Sequence, residues 1–254
     1  MAESLFEELS SYVASKPPLQ VHSVFIGQGF TTVKLTDGVV GLAQTPMTRF
    51  DTCIGATRLS GSFTRYNTRE LAKFLSPRQS AHLRAIGLAT VNAVLQKEVK
   101  NRTDYVEGDF LEFVKVKPHE NVAMIDYYTT KIESLKSPHL TIFDDRLSGK
   151  RKDITILPIS TLPKRLPQAD VVIVPPSFMD QLEYLRKSAS KARQVVVVHP
   201  TTPPLPEPFF RRGATIVASM IITEPEHLLR HVVEGAGTTL FKRFCEKIVF
   251  MKSD

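Results

Sequence analysis

With 254 residues, 42% of them hydrophobic and 23% charged, the chain has the composition of a globular protein and the length for two ordinary domains. No apolar run approaches the roughly 20 residues that a helix needs to cross a bilayer, so no membrane partner is expected. The formal charge of +7 comes from dispersed basic residues. The short clusters Lys150-Arg151-Lys152 and Arg211-Arg212 lack the interleaved aromatics on which bases stack, which makes nucleic acid an unexpected partner.

The chain opens on an acidic amphipathic pattern, with Leu5, Phe6, Leu9, Tyr12 and Val13 on one face of a helix that Pro17-Pro18 stops. It does not read as a secretory signal. Three β candidates follow at Val21–Ile26, Thr31–Leu35 and Val39–Ala43. Asp37-Gly38 between the last two is a hairpin signal, with both turn positions open to positive φ, and the three runs form a meander. A loop rich in Thr, Gly and Ser then spans Thr45 to Asn67. Asn67 or Thr68 can cap a helix over Arg69–Leu75, with Glu70 closing a capping box. Ser76-Pro77 reads as the start of a long helix to about Lys97, with Gly87, Ala89 and Ala93 small enough for close packing.

Beyond Gly108 the pattern changes. Apolar runs at Val122–Ile125, Leu140–Phe143, Val171–Val174, Val195–Val198 and Thr215–Ala218 alternate with helix candidates. Those helices fall at Thr129–Lys136, Phe178–Ser188, Pro206–Arg212 and Pro225–Val233. Near-continuous Val/Ile strands suit a parallel sheet covered on both faces, so this half reads as doubly wound α/β. The change of pattern puts a domain boundary near residues 115–120.

Several stretches of this chain, taken together and in order, carry a family likeness. They are Ala85-Ile86-Gly87-Leu88-Ala89-Thr90-Val91-Asn92-Ala93, Val122-Ala123-Met124-Ile125, Ala169-Asp170-Val171-Val172-Ile173-Val174 and Val233-Glu234-Gly235-Ala236-Gly237-Thr238. The Pro-rich turn His199–Pro206 adds to them. The chain resembles the putative heavy-metal-chelation family over nearly its whole length. That resemblance implies an enolase-N-terminal-like α+β domain over 1–115, followed by a Rossmann-like parallel-sheet domain over 116–254. It also implies a ligand site in the cleft between the two. The sequence departs from the family pattern at two strand ends. Asp126-Tyr127-Tyr128 stands where a glycine is expected, and Pro175-Pro176-Ser177 replaces a turn containing Gly or Thr.

Ligands of open α/β sheets bind beyond the carboxyl ends of the strands, which selects Asp126, Asp144, Asp145, Arg146, Ser177, His199, Thr201 and Thr202. Asp126, Asp144 and His199 form a candidate metal set. One imidazole and two carboxylates suit a hard or borderline divalent ion, whereas soft metals want thiolates. Cysteines number two, Cys53 and Cys245, far apart and without CxxC spacing, so a reducing cytoplasm is the expected compartment. His199 is either a ligand and proton carrier or a histidine that bonds the turn. Asp144 follows Asp126 by 18 residues, near the place of a ribose-binding acid, yet an N-cap or loop role is the simpler reading.

The loop holding Cys53, Gly55, Arg58 and Ser60 offers amides, hydroxyls and a guanidinium, enough to hold a carboxylate or phosphate or to be plain surface. Cys53 is an exposed thiol or a buried inert one, and Cys245, beside Phe244, reads as core. Asn92, on a helix face of small residues, either bonds a neighbouring loop or points at ligand. No G-x-G-x-x-G follows the first strand of the second half, so neither NAD nor S-adenosylmethionine is expected to bind in the ordinary way. Spacing assigns no Ser/His/Asp triad, and neither G-x-S-x-G nor HExxH occurs in the sequence.

The expected function is therefore binding of a metal, metal chelate or small anionic metabolite. The alternative is a metal-assisted enzyme using His199 and the acidic strand ends. A homodimer stays open.

Overall fold

The computed structural model describes residues 3–46, 59–126, 135, 137, 139–147, 149–151, 154–198 and 200–253. They fall into two compact units: Met1–Thr103 with Pro200–Leu205 and Ser219–Lys247, and Asp104–His199 with Pro206–Ala218 and Ile248–Asp254.

In the first unit, helix α1 (Leu5–Ser15) begins at a capping box. The Ser4 hydroxyl accepts from the Glu7 amide at 3.2 Å, and the Glu7 carboxylate takes the Ser4 amide at 2.9 Å. Strands β1 (Val21–Ile26), β2 (Phe30–Leu35) and β3 (Val40–Gln44) form the antiparallel meander in the order β1-β2-β3. The hairpin turn differs from its sequence reading. Only Gly38 takes positive φ, at 87°, and its amide donates to the Leu35 carbonyl, as when a type I turn is followed by a left-handed bulge residue.

Helix α2 (Thr68–Ala72) starts at the expected Asn67–Glu70 capping box. Helix α3 (Ala81–Val99) begins four residues later than Ser76-Pro77 suggests. Ser76 to Gln79 close a turn of their own, the Gln79 amide donating to the Ser76 carbonyl, and Ser80 becomes the cap. Almost every position of α3 after its first turn is buried, so its sequence has no polar stripe. Two glycines let it approach its neighbours: a Cβ on Gly41 would lie 2.1 Å from the Ala89 carbonyl oxygen, and one on Gly87 would lie 2.3 Å from the Leu75 nitrogen.

In the second unit, β4 (Val106–Glu107) and α4 (Phe110–Phe113) precede the parallel strands. Strands β5 (Val122–Ile125) and β6 (Leu140–Phe143) appear where the apolar runs lie. Next come β7 (Gly149–Arg151), β8 (Ile154–Leu157) and α5 (Leu162–Arg165), then β9 (Val171–Val174) and α6 (Leu182–Ser188). They are followed by β10 (Gln194–Val198), α7 (Glu207–Arg211) and β11 (Ile216–Ile222). Helix α8 (Pro225–Val233) and strand β12 (Cys245–Met251) complete the chain. The helix read at Thr129–Lys136 lies outside the described residues except at Leu135.

The sheet order is β4-β12-β11-β10-β9-β5-β6-β8-β7. The run β11-β10-β9-β5-β6-β8 is parallel throughout, and β7 and β4 are antiparallel additions at the two edges. The protein is thus α/β, with a small antiparallel sheet and a larger, mostly parallel one. Among the described residues no helix is long and apolar enough to cross a membrane.

Met124, Ile142, Ile173 and Val196 centre the core of the second unit, and all four are fully buried. Below the amino ends of its strands, Glu120 is clamped by Arg193 through two hydrogen bonds of 2.6 Å. The Lys117 amide adds a third donor, and together these hold the Glu120 carboxyl down at about 2. A satellite core of the first unit joins Phe30 and Leu42 to Met220, Leu228, Val232, Phe244 and Cys245. Burial pushes the Cys245 thiol up to about 12. A thiol-specific dye should therefore leave Cys245 unmodified in the native protein at pH 8 and label it on denaturation. Native-state labelling mapped to Cys245 by mass spectrometry would contradict this placement.

Candidate functional site

Along the chain the parallel sheet grows from β5 to β6 and β8 on one side, then from β9 to β10 and β11 on the other. The strand order reverses between β5 and β9, the point where open α/β sheets leave a crevice at the carboxyl ends of their strands. Asp126 follows β5 and Ser177 follows β9, and the Ser177 hydroxyl donates to Asp126 Oδ2 at 2.9 Å. A side-chain hydrogen bond thus spans the reversal.

Asp126 has an unusual backbone. Its φ of 58° is the one positive value among the described non-glycine residues, a conformation that suits glycine and that Asp adopts at some strain. The bond from its amide to the Phe143 carbonyl, 2.9 Å, keeps it in register with β6 despite the turn. The departure noted in the sequence, an acid where glycine is expected, therefore falls on a backbone shaped for glycine. Burial raises its carboxyl above the ordinary aspartate range, and the nearby Asp144 and Asp145 push the same way. Ser177 and Arg146 oppose the shift by favouring the ionised form.

One strand over, Asp144 follows β6 and is fully buried. Its Oδ1 accepts from the Arg146 backbone amide at 2.7 Å and from Nε at 3.1 Å, and its Oδ2 accepts from Nη2 at 2.7 Å. Nη2 also stands 3.6 Å from Asp126 Oδ1. Arg146 is thus a bridge from the buried acid to the half-buried one. Asp145 is turned to another task, accepting from the Ile159 amide at 2.8 Å. Among the described residues, three carboxylates and one guanidinium give this strand edge an excess of negative charge.

The sequence-selected residues separate as follows. Asp126, Asp144, Arg146 and Ser177 come together in the second unit. Asn92, Thr201 and Thr202 belong to the first unit and are buried. There the Asn92 amide donates to the Leu42 carbonyl at 2.7 Å and to the Thr201 carbonyl at 2.9 Å, the loop-bonding role of the two weighed. Its Oδ1, with Thr202 Oγ1, has no hydrogen-bond partner among the described residues, and buried oxygens of this kind call for a donor. Ser60 sits in an exposed turn. Cys53, Gly55, Arg58 and His199 lie outside the described residues. Among the described residues no group of three or more His, Cys, Asp or Glu converges on one point as a metal cage would.

Sequence reasoning missed Gln96, one turn after Asn92. Its amide donates to the Met220 carbonyl and accepts from the Ile222 amide, both at 2.9 Å, so it stands in for a neighbouring strand beside β11. The visible signal is a second carboxamide at i+4 on a helix whose stretch from Ala85 to Leu95 is otherwise apolar but for Thr90.

No functionally curated protein matches the sequence. Two solved structures are similar over almost their whole length. One is a protein of unknown function from the DUF364 family of Desulfitobacterium hafniense, at 20% identity and a TM-score of 0.74, covering 98% of each chain. The other is a protein of unknown function from the same family of Pyrococcus horikoshii, at 22% identity and a TM-score of 0.76, covering 99% of this chain and 100% of that one. At such identity they show the fold alone. Two family models, DUF4213 over residues 7–95 and DUF364 over 109–251, are both described as "Putative heavy-metal chelation". The chain belongs to that family.

Proposed function

We propose that the protein binds a metal ion or a metal chelate at the carboxyl edge of β5 and β9, with Asp126 as the carboxylate that faces the ligand. The observation that carries this reading is the placement of Asp126: strained, half-buried and raised in pKa at the strand reversal, next to Ser177. A cation offsets the desolvation that otherwise disfavours its charge. Asp144 serves by fixing Arg146 rather than by ligation, since both its oxygens are engaged. His199, which follows β10, is the imidazole candidate for the same set. A small anionic metabolite suits the edge less well, because the excess carboxylates repel it. Oxygen donors of this type favour a hard divalent ion. The family description agrees with a chelating role, and the paucity of thiols turns the choice of ion from soft metals to hard or borderline ones.

The alternative, a metal-assisted enzyme, rests on the same raised pKa, which equips Asp126 to exchange a proton with a substrate.

Calorimetric titration with Mn2+ tests the site. Asp126→Asn should weaken binding at least about tenfold, comparable to the loss of other well-placed metal-site groups. The same variant should be more stable than the wild type in the absence of metal at neutral pH. A carboxyl whose folded pKa is raised loses stability as pH climbs from its unfolded to its folded pKa, and the amide does not ionise. A gain of about 1 kcal/mol or less in urea unfolding is expected at pH 7, vanishing near pH 3. Equal Mn2+ affinity in the two proteins would overturn the proposal.

A further inference from the structure

Helix α8 carries His227 and His231 one turn apart, positions whose side chains neighbour each other on a helix surface. Both rings lie against Phe244, with centroid separations of 5.9 Å for His227 and 4.5 Å for His231. That contact limits how far either imidazole can turn. His231 Nδ1 stands 2.8 Å from the His227 carbonyl oxygen. A carbonyl can only accept, so Nδ1 carries the proton and Nε2 keeps its lone pair. His227 Nδ1 faces the Glu224 carboxylate at 3.8 Å, which biases its proton to the same nitrogen. His231 is therefore held with Nε2 open to a metal by its bond to an oxygen acceptor, the arrangement that orients histidine ligands in metal sites, and the Glu224 carboxylate lies on the corresponding side of His227 without a hydrogen bond. His227 is 63% exposed, so an ion reaches it from solvent.

We infer that His227 and His231 form a two-imidazole site for a borderline divalent ion (Cu2+, Ni2+ or Zn2+), which fills its remaining positions with water or with the donors of a small chelator. Paired imidazoles at i and i+4 are a recurrent zinc-binding pattern, and imidazole nitrogen suits these ions while Mg2+ and Ca2+ prefer oxygen. The site belongs to the first unit and uses none of the residues proposed at the strand edge of the second. The two sites also differ in their donors: carboxylate and hydroxyl there, with His199 as the one candidate imidazole, and two imidazoles here.

The test is calorimetric titration of the chelator-stripped full chain with Zn2+ and then Cu2+. Wild type should bind both, Cu2+ more tightly in the Irving–Williams order. His227→Ala/His231→Ala should lose at least about tenfold in Zn2+ affinity, and Asp126→Asn should keep the Zn2+ binding while losing Mn2+. As a second readout, Zn2+ should raise the melting temperature of Asp126→Asn and leave that of Asp126→Asn/His227→Ala/His231→Ala unmoved, the Asp126 change removing Zn2+ bound at the strand edge. Failure of the wild type to bind Zn2+, or unchanged affinity in the double variant, overturns the inference whatever the outcome with Mn2+.

Discussion

Gly41→Ala is expected to disrupt the first unit. Its new Cβ would sit 2.1 Å from the Ala89 oxygen, 2.2 Å from the Ala93 nitrogen and 2.7 Å from the Ala93 Cα. All three are backbone atoms of α3, so no side chain can swing aside, and the helix must leave β3. Gly87→Ala meets the same obstacle on the other side, 2.3 Å from the Leu75 nitrogen and 2.8 Å from the Phe74 carbonyl carbon. Each substitution should destabilise by more than about 3 kcal/mol, at the upper end of overpacking effects. For a chain this size the melting temperature falls roughly 2–4 °C per kcal/mol, so a drop of at least about 6 °C is expected. Gly237→Ala is the control, because nothing lies within 4 Å of its Cβ and its φ is −87°. It should change stability by no more than about 0.5 kcal/mol. Calorimetric melting of the three variants distinguishes the outcomes, and a Gly41→Ala protein as stable as the control would refute the packing of α3 on β3.

Removing Glu120 should have the next largest effect. Arg193 holds both its oxygens and also reaches the Lys115 carbonyl, so Glu120→Ala leaves a guanidinium fixed over an empty place. Truncating one partner of a buried pair destabilises by about 3 kcal/mol or more, discounted here because the Arg193 side chain is 36% exposed; about 2 kcal/mol is expected. The pH dependence has a definite sign. Glu120 is held near 2 against an ordinary 4.5, so its contribution is complete above pH 4.5 and disappears as pH falls toward 2. The gap in urea stability between wild type and Glu120→Gln should therefore be constant from pH 7 to 5 and close steadily below. A gap independent of pH down to 2 would show that the pair does not carry the charge-dependent stability.

How far the sequence predicts this molecule depends on which force sets each element. The Val-rich runs became β5, β6, β9 and β10 because strands covered on both faces leave a continuous apolar signature. Helix α8 begins at Pro225, as a first-turn proline dictates. Strand β12, CEKIVFM, escaped notice because Glu246 and Lys247 interrupt its apolar run and its burial does not alternate. Strand β8 was hidden behind the charged Lys150–Asp153 stretch. The start of α3 was misplaced because Ser76-Pro77 fits a turn as well as a cap, and only the packing of Gly87 on Leu75 decides between them.

At the site, the rule for strand ends found Asp126, Asp144 and Ser177, since it depends only on where strands stop. It could not show that Arg146 would occupy both oxygens of Asp144, because that depends on the turn geometry of three residues. The histidine pair went unread for a plainer reason. Its meaning rests on Phe244, thirteen or more residues away, and on a proton position that sequence does not carry.

The two compact units are not consecutive along the chain, and this bears on how the protein is made. A ribosome that has delivered α1 to α3 has supplied Phe30 and Leu42 but not Met220, Leu228, Val232 or Phe244, which complete that core. The apolar face of β2 and β3 must therefore stay uncovered while more than a hundred further residues are synthesised, and the second unit has nearly all its strands before the first is closed. Contacts of such sequence separation form slowly and leave aggregation-prone surface in the interim. The apolar sheet face of the first unit is thus covered only once translation has reached Lys247.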